Sequence, residues 1–194
     1  GVDYNVEGAV SVPLAPGVAA LRVAALYEEA GGWIDNSVSG AENVNSGSIA
    51  GVRGILTVKP SEPMELNFTI FHQDSQFDGQ NNAGADGTVA LNVPNPTESE
   101  LTLYSADVSL DLGFAEAVST TAFQDRSTFS VFDVSPFYIP LFEAPPPFGF
   151  GFPAGTFQGV GLNGGVDYEV FTQELRLLSQ GSNRLFWTVG AFYR

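Results

Sequence analysis

Two oppositely charged residues near the end of the chain have the spacing of side chains that share one strand face. Glu174 and Arg176 lie two residues apart in a segment that alternates between polar and apolar residues. Side chains at positions i and i+2 of a strand point the same way. Such residues can contact a ligand or an inner domain, or they can form a structural ladder of ion pairs with neighbouring strands. Arg53 holds the same polar-face position in an earlier segment and is the third candidate for this role.

An aromatic segment is the second candidate for a site. It follows three consecutive prolines, residues 145–147, in a stretch rich in Phe and Gly. A loop of this kind can offer flat apolar surface to a substrate such as a chelate or a glycan, or it can pack on its own prolines and on neighbouring loops. The candidates for an external contact are Phe148, Phe150, Phe152, Phe157 and, in another predicted loop, Trp33.

An oxygen-rich stretch, DSQFDGQNNAGADG, offers side chains of the kind that bind calcium. These are Asp74, Asp78, Asn81, Asn82 and Asp86. Their spacing does not follow the EF-hand pattern, so a hydrated acidic loop is the simpler interpretation. The chain has one histidine, His72, and no Cys, which leaves no local motif for a catalytic triad or a zinc site. The sequence therefore predicts neither an enzyme nor a bound cofactor.

The composition excludes several classes of partner. The chain has 22 acidic and 7 basic residues and a formal net charge of −15. Nucleic acids and anionic inner-leaflet surfaces both require stripes of Lys and Arg, so neither is an expected partner. No run of about 18 apolar residues is present, so no transmembrane helix is predicted. A membrane contact would have to be made by strands.

Segments of about ten residues that alternate in polarity recur along the whole chain. One of them, residues 18–29, is rich in helix formers and is compatible with either a helix or a strand. The last two segments are separated by turn residues, Gln180 to Asn183. The predicted strands are 3–12, 18–29, 48–59, 65–74, 101–112, 116–125, 168–178 and 185–194.

The connections between these segments alternate between short and long. The long ones are residues 30–46, 75–100 and 126–167. Outer-membrane barrels show this asymmetry, with tight turns at the periplasmic end and long loops outside. In such a barrel the apolar strand faces contact lipid and the charged faces line the lumen. A soluble sheet would instead bury its apolar face in a protein core.

These segments resemble the barrel of TonB-dependent outer-membrane receptors. The matching stretches are EGAVSVPLAPGVAALRVAALYEEAGGWIDN, GVRGILTVKPSEPMELNFTIFHQD and FTQELRLLSQGSNRLFWTVGAFYR. The resemblance implies that residues 18–29 form a strand. It also implies an all-β fold, in which about eight antiparallel strands of a transmembrane β-barrel form an up-and-down meander with short periplasmic turns and long extracellular loops. Receptor barrels have about 22 strands and a plugged lumen, so the chain is expected to be an internal part of one, without the plug.

The same resemblance implies a function and a location. The expected function is energy-coupled uptake of a scarce nutrient, such as siderophore-bound iron or a glycan, across the outer membrane of a Gram-negative cell. The implied partners are outer-membrane lipid, the nutrient, a plug domain and the TonB complex, with Arg53, Glu174 and Arg176 lining the lumen. The alternative is a soluble β-sandwich or small closed β-barrel that serves as a structural or interaction module. Mutual burial of Tyr104, Trp187 and Tyr193 would favour that alternative.

Overall fold

The computed structural model describes residues 1–180 and 185–194. The described chain consists of strands apart from one helix and the connecting loops. In chain order the elements are β1 (Tyr4–Ala15), β2 (Ala19–Ala30), β3 (Asp35–Asn36), β4 (Gly47–Ser61), β5 (Met64–Phe77), β6 (Thr88–Val89), β7 (Thr97–Asp111), β8 (Ala115–Asp133), α1 (Ser135–Glu143), β9 (Gly161–Ser179) and β10 (Thr188–Tyr193).

Eight of these strands form one antiparallel sheet in the order β1–β2–β4–β5–β7–β8–β9–β10. Each strand pairs with the next long strand along the chain, which confirms the predicted all-β, up-and-down meander. β2 pairs along its full length with β1 and β4, so the segment rich in helix formers is a strand. Pairing on both sides outweighs a weak intrinsic helix propensity.

The sheet is open. Within the described residues no pairing joins β1 to β10, so the structure does not match the alternative of a small closed barrel. In the part of the chain that the structure describes, the second sheet is a two-residue parallel pairing of β3 with β6, so these residues do not form a sandwich of two sheets. Tyr104 and Tyr193 are 49% and 67% exposed, and they are not buried against each other.

Several strands extend further toward the long loops than predicted. β7 begins at Thr97, β8 continues to Asp133, and β9 begins at Gly161. The prediction of an irregular segment over 126–167 was therefore wrong at both ends, and its middle contains α1. Beyond Phe123 both faces of β8 mix Ser and Thr with Phe and Val, so the polarity contrast that reveals a strand is lost although the backbone pairing continues. β10 begins only at Thr188, and most of the predicted turn before it lies outside the described residues.

The two faces of the sheet differ in chemistry because the register places like residues opposite each other. The apolar face carries Leu56, Phe68 and Ala106 in one row across β4, β5 and β7. The opposite face, which we call the charged face, carries the arginines and the lysine of the strands and has Thr57, Asn67 and Asp107 in one row across β4, β5 and β7. Within the described residues, the only buried hydrophobic side chains are Ile34 and Ala115. Neither face of the sheet is therefore covered by a protein core.

The long loops pack together at one end of the sheet and form a cap, which we define as residues 31–46, 78–96 and 134–160. The β3–β6 pairing joins the first two loops, and the Asn92 side chain donates a hydrogen bond to the Gln158 carbonyl of the third. Four of the five buried residues of the described chain lie in this loop cap: Ile34, Asn36, Asn45 and Ser135. No helix in the described part of the chain is long and apolar enough to cross a bilayer.

Candidate functional site

The predicted pair Glu174 and Arg176 forms an ion pair on the charged face of β9. The Arg176 Nε and Glu174 Oε1 atoms are 3.1 Å apart. The Arg176 side chain is 44% exposed and that of Glu174 is 37% exposed. Gly190 lies opposite Arg176 in β10. A Cβ atom at Gly190 would lie only 3.1 Å from Arg176 Cγ, so the glycine leaves room for the arginine stem. Among the described residues, the ion pair is formed within β9, and not with charges of neighbouring strands as the structural alternative expected.

Breaking this ion pair is expected to have a small effect. Partly exposed pairs usually contribute about 0.2–1 kcal/mol, so the coupling between Arg176→Met and Glu174→Gln in a double-mutant cycle should stay below ~1 kcal/mol. The cycle is measured by urea unfolding of the protein in detergent or lipid. A coupling energy several times larger would indicate that the pair is desolvated by a segment packed on the charged face.

Arg53 lies on the same face but far from this pair. Strands β5, β7 and β8 separate β4 from β9, and neighbouring strands are about 4.8 Å apart, which gives a separation of roughly 20 Å. The structure therefore does not bring the three predicted charged residues into one site. Arg53 instead lies beside Arg22 of β2, which the sequence analysis did not select because the register between strands was unknown.

Two of the predicted aromatic residues contact Phe142, which was not predicted from the sequence to take part. The Phe142 ring of α1 lies 4.9 Å from the Phe157 ring and 5.8 Å from the Phe150 ring, measured between centroids. The Phe152 ring lies 5.3 Å from that of Phe157. Phe148 makes no ring contact among the described residues and is 83% exposed. The segment thus packs partly on itself, while Phe148 and also Phe150, which is 65% exposed, face solvent.

Trp33 lies in a different part of the loop cap and is 59% exposed. Its backbone N–H donates to the Asn45 Oδ1 atom, which also accepts from the Ile34 N–H, both at 2.8 Å. The Asn45 amide donates in turn to Asn81 Oδ1 at 2.5 Å. The buried Asn45 side chain therefore fixes the backbone that presents Trp33, although no recorded ring contact in the described chain joins Trp33 to the aromatic segment.

The oxygen-rich stretch does not form a single site in the loop cap. Asp78 accepts a hydrogen bond from Ser46, and Asp86 accepts from the backbone and hydroxyl of Thr88. These contacts hold separate turns. Within the described residues, one group of possible metal ligands has its ligand atoms within 4.8 Å of one another. It consists of His72, Asp74 and Glu100, at the loop end of the apolar face.

Asp133, at the loop end of β8, anchors the third loop of the cap to the second. Its carboxylate accepts from the backbone N–H of Asn92 at 2.6 Å and from that of Ser135 at 2.9 Å. Burial raises the pKa of Asp133, but hydrogen bonds from Ser135 and from the amides of Asn92 and Val93 outweigh burial and hold the pKa below its ordinary value. The ionised carboxylate is therefore the form that stabilises the cap.

Acid is expected to loosen this loop through Asp133. Because the folded pKa is lowered, the stabilisation is fully present above the unfolded pKa of about 3.9 and is lost as the pH falls through the folded value. Pepsin cleavage of residues 134–160 should therefore accelerate below pH ~4, and Asp133→Asn should be cleaved rapidly at higher pH as well. The matched control is Asp86→Asn, which removes a carboxylate that accepts hydrogen bonds from Thr88 in a different turn. An unchanged acid response in Asp133→Asn would contradict this role.

Comparison with known proteins identifies the fold. No protein-family model and no curated protein matches the chain. Among solved structures, the chain is similar to the outer membrane transporter YddB from Escherichia coli, with a TM-score of 0.60 and 11% sequence identity. The likeness covers 98% of this chain and 25% of that transporter chain, so the chain spans about a quarter of its length. The likeness shows the fold alone: the eight strands are arranged like part of an outer-membrane β-barrel wall.

Proposed function

We propose that the chain forms part of the wall of an outer-membrane β-barrel transporter, with its apolar face against lipid. The observation that carries the proposal is the uncovered apolar face, on which Phe68 is 45% and Tyr104 49% exposed. Soluble monomers rarely expose contiguous apolar patches larger than a few hundred Å². Hydrocarbon is the environment in which such a surface is stable.

On the apolar face, aromatic residues give way to acidic ones toward the long loops, and we expect the edge of the lipid at this level. Tyr104, Phe123 and Phe171 lie opposite one another in β7, β8 and β9 and form an aromatic row on the apolar face. Two residues closer to the long loops, the same face carries Asp125 opposite Glu169. Outer-membrane barrels have aromatic girdles at the interface between hydrocarbon and water. The row therefore supports a membrane boundary at this level, with carboxylates in the headgroup region.

The strand lengths and edges also support a larger barrel. Seven of the eight strands have 12–19 residues, and about 9–11 residues suffice to cross a bilayer at a tilt. The outer edges of β1 and β10 present unpaired backbone groups, which are costly in hydrocarbon. Further strands are expected to pair with both edges, consistent with the chain's coverage of a quarter of the similar transporter.

We propose more specifically that the transporter is TonB-dependent and takes up a scarce nutrient such as siderophore-bound iron or a glycan. In this proposal the loop cap faces outward, Trp33 and Phe148 contact the nutrient, and the charged face lines a lumen occupied by a plug domain. The TonB complex of the inner membrane would supply the energy that moves the plug. The resemblance of the hairpins to TonB-dependent receptors supports this step, together with the likeness to a known transporter.

Fractionation of cells that express the complete coding sequence tests the membrane proposal. The protein should sediment with the outer membrane, resist extraction by carbonate, and require detergent for solubility. A monodisperse monomer in plain buffer would contradict it. For the finer proposal, growth is measured on a panel of ferric siderophores as iron source and of oligosaccharides as carbon source. Growth that requires the protein but is unaffected by loss of TonB would overturn TonB dependence.

A further inference from the structure

Two arginines on the charged face lie beside each other without an acidic partner. In the register of β2 and β4, Arg22 is opposite Ile55, and Arg53 is opposite Ala24. The two arginines are thus diagonal neighbours on one face, with a Cα separation of about 7–8 Å. Like charges at this spacing repel each other unless an anion lies between them.

Two of the other three strand cations of this face pair with carboxylates. Lys59 Nζ lies 2.7 Å from Glu65 Oε2, Arg176 pairs with Glu174, and Arg126 Nε donates to Ser99 Oγ at 3.4 Å. Among the described residues, neither Arg22 nor Arg53 has a carboxylate within 4 Å, and Arg22 donates only to Ser11 Oγ. Because the chain has 22 acidic residues and 7 basic ones, two adjacent arginines without an acidic partner are unexpected.

Both arginines are exposed, and they line an open hollow of about 500 Å³ on the charged face. Its floor is made by small residues, Ala9, Ala24 and Gly51, while Leu26 and Phe71 supply apolar walls. The volume is within the usual range of about 300–1,000 Å³ for small-molecule sites. A guanidinium offers a planar fork of N–H donors that matches carboxylate and phosphate oxygens. The site thus combines two such donors with an apolar surface.

We propose that Arg22 and Arg53 form a binding subsite for a small anionic solute that carries a carboxylate or phosphate group. The subsite rests on the proposed function and deepens it, because a lumen-facing wall is where a transported anion would bind. Glu7 also lines the hollow, and its negative charge opposes an anion there. We therefore expect the solute to bind weakly and reversibly, as a transported solute must because it has to dissociate again.

Calorimetric titration of the complete protein in detergent tests the proposal, with succinate and inorganic phosphate as the two probes. At low salt at least one probe should bind, with an affinity that falls as NaCl is added. Arg22→Gln and Arg53→Gln should each weaken binding at least ~10-fold, as expected for loss of one charge-assisted hydrogen bond. The matched control is Arg126→Gln, which removes a cation of the same face outside the hollow and should leave the affinity unchanged.

Glu7→Gln is a second test of the subsite, which can be used if an arginine variant folds poorly. Removal of the opposing charge should strengthen binding several-fold, and misfolding cannot produce that gain. Absence of binding of both probes to the wild type, or equal affinity in the Arg22→Gln/Arg53→Gln double variant, would overturn the subsite. The titration does not depend on membrane insertion, so failure of the subsite and failure of the transporter proposal can be distinguished. A protein that is soluble without detergent and binds a probe through these arginines would contradict the transporter proposal. A membrane protein that binds neither probe would contradict only the subsite.

Discussion

Substitution of Phe68 by arginine is expected to destabilise the protein in a bilayer by about 2–4 kcal/mol, the cost of a cation near the midplane of a lipid-facing barrel surface. Phe68 lies in the middle of the apolar face, between Leu56 and Ala106, with no described side chain that could pair with a guanidinium. The free energy is measured by urea unfolding in liposomes. Loss of the fast-migrating folded form on unheated SDS gels reports the same change.

The neighbouring residue provides the matched control. Thr69 points to the charged face, where Ile55 and Ser105 lie opposite it. Thr69→Arg should cost less than ~1 kcal/mol, because a surface substitution away from packed or special positions is usually tolerated. Phe68→Leu separates loss of the ring from introduction of charge and should also have a small effect. Equal destabilisation by Phe68→Arg and Thr69→Arg would mean that the two faces do not meet different environments.

Truncation of Ile34 to alanine is expected to open the loop cap. Ile34 is fully buried, and truncation of a buried Ile to Ala costs about 2–5 kcal/mol. The loss should be local, because Ile34 lies in the cap and not in the eight-stranded sheet. Hydrogen exchange at the Ile34 amide, which is bonded to Asn45 Oδ1, should accelerate by more than tenfold. Cleavage of residues 31–46 by an external protease should accelerate as well.

Two further variants separate the packing effect from general loop sensitivity. Ile34→Val removes one methylene group and should cost only about 0.5–1.5 kcal/mol. Val38→Ala changes a side chain of the same loop that is 55% exposed and should leave exchange unchanged. Unfolding of the sheet in urea should be the same in all three variants. A loop that is cleaved equally fast in the wild type and in the Ile34→Ala variant would show that the cap has no stabilising core.

The strands were predictable because polar and apolar residues alternate along them, which makes one face apolar and the other polar. Residues 65–74 and 101–112 alternate clearly, and they became β5 and β7. The prediction failed where the alternation lost its contrast, as in residues 127–133 of β8, where both faces mix small polar and large apolar side chains. The loop cap was not predictable for a different reason. β3 and β6 have two residues each and exist only because two distant loops meet.

The candidate sites show the same division between local and long-range information. Glu174 and Arg176 could be paired from their spacing alone, because i and i+2 residues of a strand share a face. The neighbours Arg22 and Arg53 depend on the register between β2 and β4, which no local pattern specifies. The role of Phe142 was missed because its aromatic partners come from a loop that folds back onto α1. Side-chain chemistry was evident in the sequence, whereas juxtaposition required the fold.

The most direct test of the account measures what surrounds the apolar face. The 194 residues contain no Cys, so a single cysteine at Phe68, Ala106 or Thr69 gives a unique spin-label site in this part of the protein. In liposomes, labels at 68 and 106 should collide frequently with oxygen, which partitions into lipid, and rarely with a water-soluble nickel chelate, whereas a label at 69 should not show this lipid signature. Exclusion of both reagents from 68 and 106 would instead place the apolar face inside a protein core and contradict the membrane assignment.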